Sequence, residues 1–374
     1  MSRLQALGVP PLINAAGAYT MFGGSRLAPG VPEAMAEAGN VFLDLDLLQR
    51  RVGARIAELT GNEACFVSSG AAAGVAIAVA ACVAGTDPAA IGAFPVRGER
   101  DVVVQVTQRN GYDYSARMTG VRLVEIGGSD GTTAAELRLA IGPQTACVLV
   151  FAGTFYEPGA LPLHDVIEVA HAAGVPVVVD AAGQVPPVSN LRRYTVLEDA
   201  DLAIFSGGKA LRGPQTTGLV LGRADLIEAC LANANPGHSI GRPMKVGKEE
   251  LLGILAAIEW AVAMDEPAHL RTCEAIVAGW LAGFDDIPEV TVTREARGVV
   301  GEPLPQVFVR LRSGGSAARD ALMDALRHGS PGVATRPSGA DTIAFNPMFV
   351  EPDEAPLVAR RLREEIARMA PVDD

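Results

Sequence analysis

Lysine is nearly missing from this chain: Lys209, Lys245 and Lys248 stand against 28 arginines in 374 residues. Basic surface positions are thus filled by arginine, and a lysine set between Gly208 and Ala210 needs an explanation of its own. Cysteine is also sparse. Cys65, Cys82, Cys147, Cys230 and Cys273 are scattered without close pairs in mostly apolar surroundings, which excludes a disulfide-stapled scaffold and predicts buried thiols. Five dispersed histidines form no cluster with metal-ligand spacing, so no metal is expected. Long hydrophobic runs are absent. Ala71 to Ala84 is rich in alanine and too short to span a bilayer, and Met-Ser-Arg-Leu-Gln lacks the apolar core of a signal peptide, so a cytoplasmic protein without a membrane partner is expected. No basic patch offsets the net charge of −12, which repels polyphosphates and argues against a nucleic-acid partner.

What is present is 49% hydrophobic and 20% charged residues, a globular composition long enough for one large and one small domain. Residues 1–30 read as an N-terminal arm: the string Leu12 to Arg26 is rich in glycine and polar groups and shows no apolar face to fold upon. Residues 31–245 read as the large domain. Strand signals recur there at Ala64 to Val67, Val102 to Val106, Val121 to Ile126, Cys147 to Phe151, Val175 to Val179, Leu202 to Phe205 and Thr217 to Leu221, separated mostly by helix-length segments such as Thr133 to Ile141. This alternation predicts an α/β fold with a seven-stranded, mostly parallel sheet covered on both faces. Residues 246–374 read as a smaller α+β domain, with helices from Glu249 to Leu281 and strands near Val290, Val307 and Thr342.

Ligands on such sheets bind outside the carboxyl ends of the strands. The chemically distinctive residues fall there. Val175 to Val179 delivers Asp180, and Leu202 to Phe205 leads into Ser206-Gly-Gly-Lys209. A carboxylate and an amine at one sheet edge suit pyridoxal 5'-phosphate: the lysine holds the aldehyde as a Schiff base, and the acid keeps the pyridine nitrogen protonated. Ser69, Gly70 and Ala71 follow the first strand and open an alanine-rich helix, whose free amides and dipole favour an anion such as the cofactor phosphate.

With these motifs in view the chain resembles the fold-type I pyridoxal phosphate enzymes, the aspartate aminotransferase-like fold. More narrowly it is similar to the group containing bacterial selenocysteine synthase and D-glucosaminate-6-phosphate ammonia-lyase. The resemblance runs through Ile13-Asn-Ala-Ala-Gly17, Arg55 to Gly61, Ser69 to Ala72, Asp180 to Pro187, Ser206 to Pro214 and Gly241 to Glu249. It implies that Lys209 and Asp180 are catalytic, and that Ser69, Gly70, Ala71 and Ser206 hold the phosphate. Gln108 stands where many lyase-like relatives have a histidine over the cofactor ring, and Gly208 where the related cysteine desulfurases have a histidine. The resemblance also implies a small-domain arginine, Arg336, for the substrate carboxylate. Tyr19 and Arg26 of the arm would reach the substrate from a partner subunit.

The expected activity is therefore at the α-carbon of an amino acid or amino sugar acid, with elimination as first choice. Racemisation or epimerisation needs the same proton removal and remains open. Selenium transfer to an aminoacyl-tRNA and a non-catalytic, cofactor-binding regulator are further alternatives. A homodimer, or an assembly of dimers, is expected because the arm gains order only by packing on a large neighbour.

Overall fold

The computed structural model describes residues 3–298 and 300–369. These form two compact units: a larger one of residues 27–264 with 300 and 301, and a smaller one built from the N-terminal segment up to Arg26 and most of the described chain from Asp265 on.

The larger unit is organised by seven strands: β1 (Ala64–Ser68), β2 (Asp101–Gln105), β3 (Arg122–Ile126), β4 (Thr145–Phe151), β5 (Val177–Asp180), β6 (Leu202–Ser206) and β7 (Gly218–Gly222). Their order across the sheet is β1-β7-β6-β5-β4-β2-β3, with β7 antiparallel to both its neighbours and the remaining pairings parallel. Apolar runs such as Val102-Val-Val104 and Val177-Val-Val179 suit a sheet covered on both faces. Their side chains alternate accordingly: Val103, Val148, Val177 and Ala203 enter one core, and Val102, Cys147, Val178 and Leu202 the other. The helix Gly70–Ala84 can lie close to the sheet because Gly74 has no side chain; a Cβ there would stand 3.0 Å from Ile204 Cγ2. Lys248–Ala263 packs against the helices Val31–Gly39 and Leu45–Thr60, burying Leu251, Ile254 and Ile258 with Val52 and Ile56. The division between units therefore falls after this helix rather than at Val246, where the sequence changes texture.

The smaller unit carries an antiparallel sheet in the order Arg336–Ser338, Thr342–Phe345, Gln306–Leu311, Val290–Glu295. The helices Glu266–Phe284, Gly315–His328 and Ala355–Met369 accompany it around Trp280, Phe284 and Phe345. The N-terminal segment corrects one expectation. Leu12–Asn14 is a strand paired in parallel with Gly332–Ala334, Ile13 and Ala15 are buried in this core, and Ala15 exchanges backbone hydrogen bonds with Ala334 and Asn346. Two apolar side chains at alternate positions are enough to dock so short a strand, so this part of the arm is ordered by its own chain. Among the described residues no helix is long and apolar enough to cross a membrane.

Candidate active site

Strand register sets the site. Ser68 and Ser206, the last residues of β1 and β6, both face Gly218, the first residue of antiparallel β7. On the strand next to β6, Asp180 ends β5 opposite Phe151 and Ile204. The carboxyl ends of the parallel strands thus gather Ser206, Asp180 and the loop that follows each.

The loop after β6 is built for close approach. Gly207 N donates to Thr217 O, Gly213 N to Gly207 O, and Arg212 N to Lys209 O, all at 2.8–2.9 Å. A Cβ on Gly208 would stand 2.4 Å from Gln215 Cα, and one on Gly207 would stand 2.2 Å from Thr217 Oγ1. Gly208, which the sequence comparison marked as a missing histidine, is therefore demanded by the backbone of residue 215. Lys209 leaves this tight double turn with its Nζ 3.7 Å from the point where a Gly183 Cβ would stand. Gly183 lies three residues beyond Asp180, so amine and carboxylate share one corner of the site.

Asp180 is 8% exposed, and its Oδ1 accepts a hydrogen bond from Ala182 N at 3.0 Å. Burial pushes its carboxyl above the usual range; the Ala182 N–H and the Lys209 charge oppose this without cancelling it. A buried acid held in this state is suited to a cationic partner. Tyr156 lies near enough to respond: burial first, then the Asp180 charge, raises its phenol.

The helix Gly70–Ala84 begins with Ser69, whose side chain makes no capping hydrogen bond. Gly70 has φ of +81° and nothing within 4 Å of a would-be Cβ, so space lies open beside the first amides. Gly218 does the opposite. A Cβ there would stand 2.5 Å from Gly70 C and 2.7 Å from Ala71 N, so its hydrogen lets the helix N-terminus sit against the sheet edge beside Ser206. An open helix start, neighbouring hydroxyls and a buried acid at the far side fit a phosphate at one end and a protonated ring nitrogen at the other. Ser69, Gly70, Ala71, Ser206, Asp180 and Lys209 are thus brought to one sheet edge. Gln108, 4% exposed, is anchored there too, its Oε1 accepting from Phe151 N at 3.1 Å; that bond fixes the side-chain amide to the end of β4.

Three further expected residues belong to the smaller unit. Arg336 is 8% exposed and donates from Nη2 to Gln306 Oε1, with its guanidinium 5.8 Å from the Phe308 ring centroid. Its described partners are neutral. Arg26 already pairs with Glu351 and Glu354, and Tyr19 is exposed. Sequence reasoning missed Gly218, Gly183 and Tyr156. Gly183 sits inside the Asp180 to Pro187 motif and could have been found. His164, Asp165 and Glu168 bring ligand atoms within 4.8 Å of one another on the start of the helix Leu163–Ala172, a grouping the spacing argument overlooked, though no second feature there points to an ion.

Residues 26–263 match the model of the family described as "SelA: L-seryl-tRNA selenium transferase". The chain belongs to the SelA family. Among curated SelA relatives and neighbours, a Streptomyces sp. protein named 5'-C-glycyluridine monooxygenase-decarboxylase is 34% identical over 96% of this chain and 91% of its own length. D-glucosaminate-6-phosphate ammonia lyase of Salmonella typhimurium (strain 14028s / SGSC 2262) is 37% identical over 68% of this chain and 69% of its own length. A solved structure of D-glucosaminate-6-phosphate ammonia-lyase superposes with a TM-score of 0.82 at 29% identity, covering 98% of this chain and 99% of that one. More distant likenesses, such as a ureidoglycine-glyoxylate aminotransferase from Bacillus subtilis (TM-score 0.63, 14% identity, 96% and 94% covered), share the fold. Family and fold are those of pyridoxal phosphate-dependent, fold-type I enzymes, as the motif around Lys209 implied.

Proposed function

We propose that this protein is a pyridoxal phosphate-dependent lyase that eliminates a substituent from an amino acid or amino sugar acid. The observation that carries the reading is the shared corner of Lys209 and Asp180, where the amine's charge acts on a buried carboxylate. When bound, the cofactor supplies an aldehyde for Lys209 and a protonated ring that accepts electron density from the substrate α-carbon. Asp180 holds the proton on the ring nitrogen. The amides of Gly70 and Ala71, with the hydroxyls of Ser69 and Ser206, bind the phosphate. Once the substrate amine has displaced it from the aldehyde, the free Lys209 Nζ would take the α-proton, the substituent on the neighbouring carbon would leave with its electron pair, and water would complete the conversion to keto acid and ammonia. Arg336, a buried guanidinium whose described partners are neutral, takes the substrate carboxylate.

A second reading is oxidative decarboxylation, favoured by the relative that aligns nearly end to end and is named a monooxygenase-decarboxylase. A panel of D- and L-amino acids and amino sugar acids in deuterated water separates these. Keto acid plus ammonia without oxygen uptake supports elimination. Oxygen consumption with carbon dioxide release supports the second reading, and deuterated substrate of both hands would mean racemisation instead. We also infer a homodimer. Val41, Phe42, Leu43 and Leu47 are exposed apolar groups close together in sequence, a surface suited to a second copy; an active monomer at micromolar concentration in sedimentation contradicts this.

A further inference from the structure

We propose that Val300 is a specificity-determining residue of this site and that Gln184 positions it, an inference resting on the assignment of Lys209 above. Val300 and Gly301 lie in sequence between two strands of the smaller unit yet pack as part of the larger one. A side chain of the larger unit contributes to this attachment. Gln184 Nε2 donates to Val300 O at 3.1 Å and to Ala152 O at 3.2 Å, tying the connection to the residue after β4. The rest of Gln184 is itself held: its carbonyl accepts from Asn190 Nδ2 at 2.6 Å, and its Oε1 from Tyr194 OH at 3.5 Å. Glycines on both sides admit the close approach. A Cβ on Gly153, φ +140°, would stand 3.0 Å from Gln184 Nε2 and 3.4 Å from Val300 O; one on Gly301, φ +92°, would stand 2.7 Å from Thr154 Cγ2.

The consequence lies at Gly183. The point where its Cβ would stand is 3.6 Å from Val300 Cγ2 and 3.7 Å from Lys209 Nζ. The valine methyl and the reactive amine therefore flank the same small space, which Gly183 leaves empty. Gly153 and Gly183 contribute no bulk here, so the branched side chain of Val300 sets how wide the space beside Lys209 is. It also makes that wall apolar, and a charged group turned toward it loses hydration without gaining a partner. The site accordingly takes substrates whose substituent on this side is small and uncharged.

The test needs no knowledge of the substrate. Protein reconstituted with pyridoxal 5'-phosphate is treated with hydroxylamine and with the bulkier O-benzylhydroxylamine, and the loss of the lysine-linked absorbance gives a rate ratio between the two. Val300→Ala should shift that ratio toward the bulky reagent by about tenfold, the discrimination a pocket gains from one or two methyl groups. Val300→Thr, of the same shape, should keep the wild-type ratio. Gln184→Leu, which removes the donor to the Val300 carbonyl, should shift it in the same direction as Val300→Ala. A ratio in Val300→Ala within about twofold of wild type overturns the proposal. If the cofactor does not attach to Lys209 at all, the underlying assignment fails with it; normal attachment with an unchanged ratio removes Val300 alone.

Discussion

Asp180 and Asp201 stand at opposite edges of one sheet, Asp180 closing β5 and Asp201 immediately preceding β6, and both are almost completely buried. Their surroundings differ. Asp201 accepts from Val177 N at 2.6 Å, pairs with His171 Nε2 at 2.8 Å, and pairs with Arg223 Nη1 at 2.6 Å. Asp180 has the Ala182 N–H and the nearby Lys209 charge, and its carboxyl remains above the usual range. A buried acid surrounded by donors holds a fold together, whereas one left short of compensation is prepared for a ligand. A cavity of about 500 Å³ opens at the Asp201 edge, lined by His171, Thr195, Asp199 and Arg223, but the acid there is already matched.

Exchanging each acid for its amide sharpens the contrast. Asp180→Asn keeps the shape and can still accept from Ala182, but it no longer holds the ring proton; turnover should fall by about 10³-fold in steady-state assays while cofactor is retained. Asp201→Asn should leave turnover within a few fold and instead cost about 3 kcal/mol in urea unfolding, because His171 and Arg223 lose a buried partner. If Asp201→Asn abolishes turnover in protein that is still folded, the separation of the two edges is wrong. Gly218→Ala should weaken cofactor binding by about tenfold, as its methyl forces the helix start away from Ser206; equilibrium titration against Gly74→Ala, which crowds the same helix one turn further in without touching the Gly70 and Ala71 backbone, separates this from general strain.

The smallest effect concerns the cofactor-free protein. A native pKa raised above the unfolded value makes the acid's contribution fully present below about pH 4 and lost as pH rises through the native value. At neutral pH cofactor-free Asp180→Asn should therefore melt above wild type, and this advantage should vanish toward pH 4. An unchanged difference across that range would mean Asp180 is compensated after all.

Much of this was legible in the sequence where the physics is local. Continuous valine runs such as Val177-Val-Val179 marked buried strands, and all seven sheet strands lie where the apolar runs placed them. The antiparallel direction of Gly218–Gly222 was not legible, since a buried strand reads the same either way. Yet that direction puts Gly218 beside Ser68 and Ser206 and shapes the cradle. Lys209 and Asp180 could be read because strand, turn and residue type coincide within a few positions. Val300 could not, since its place depends on Gln184 and on two glycines far apart in the chain. The docking of Ile13 was hidden for the same reason: three residues carry no periodicity, and their partner strand lies near the other end of the sequence.

The most direct test of the central claim is to reduce the reconstituted protein with borohydride and locate the fixed cofactor by peptide mapping. The label should fall on Lys209, and Lys209→Ala should take up no covalent label. Cofactor fixed at Lys245 or Lys248 would contradict the account.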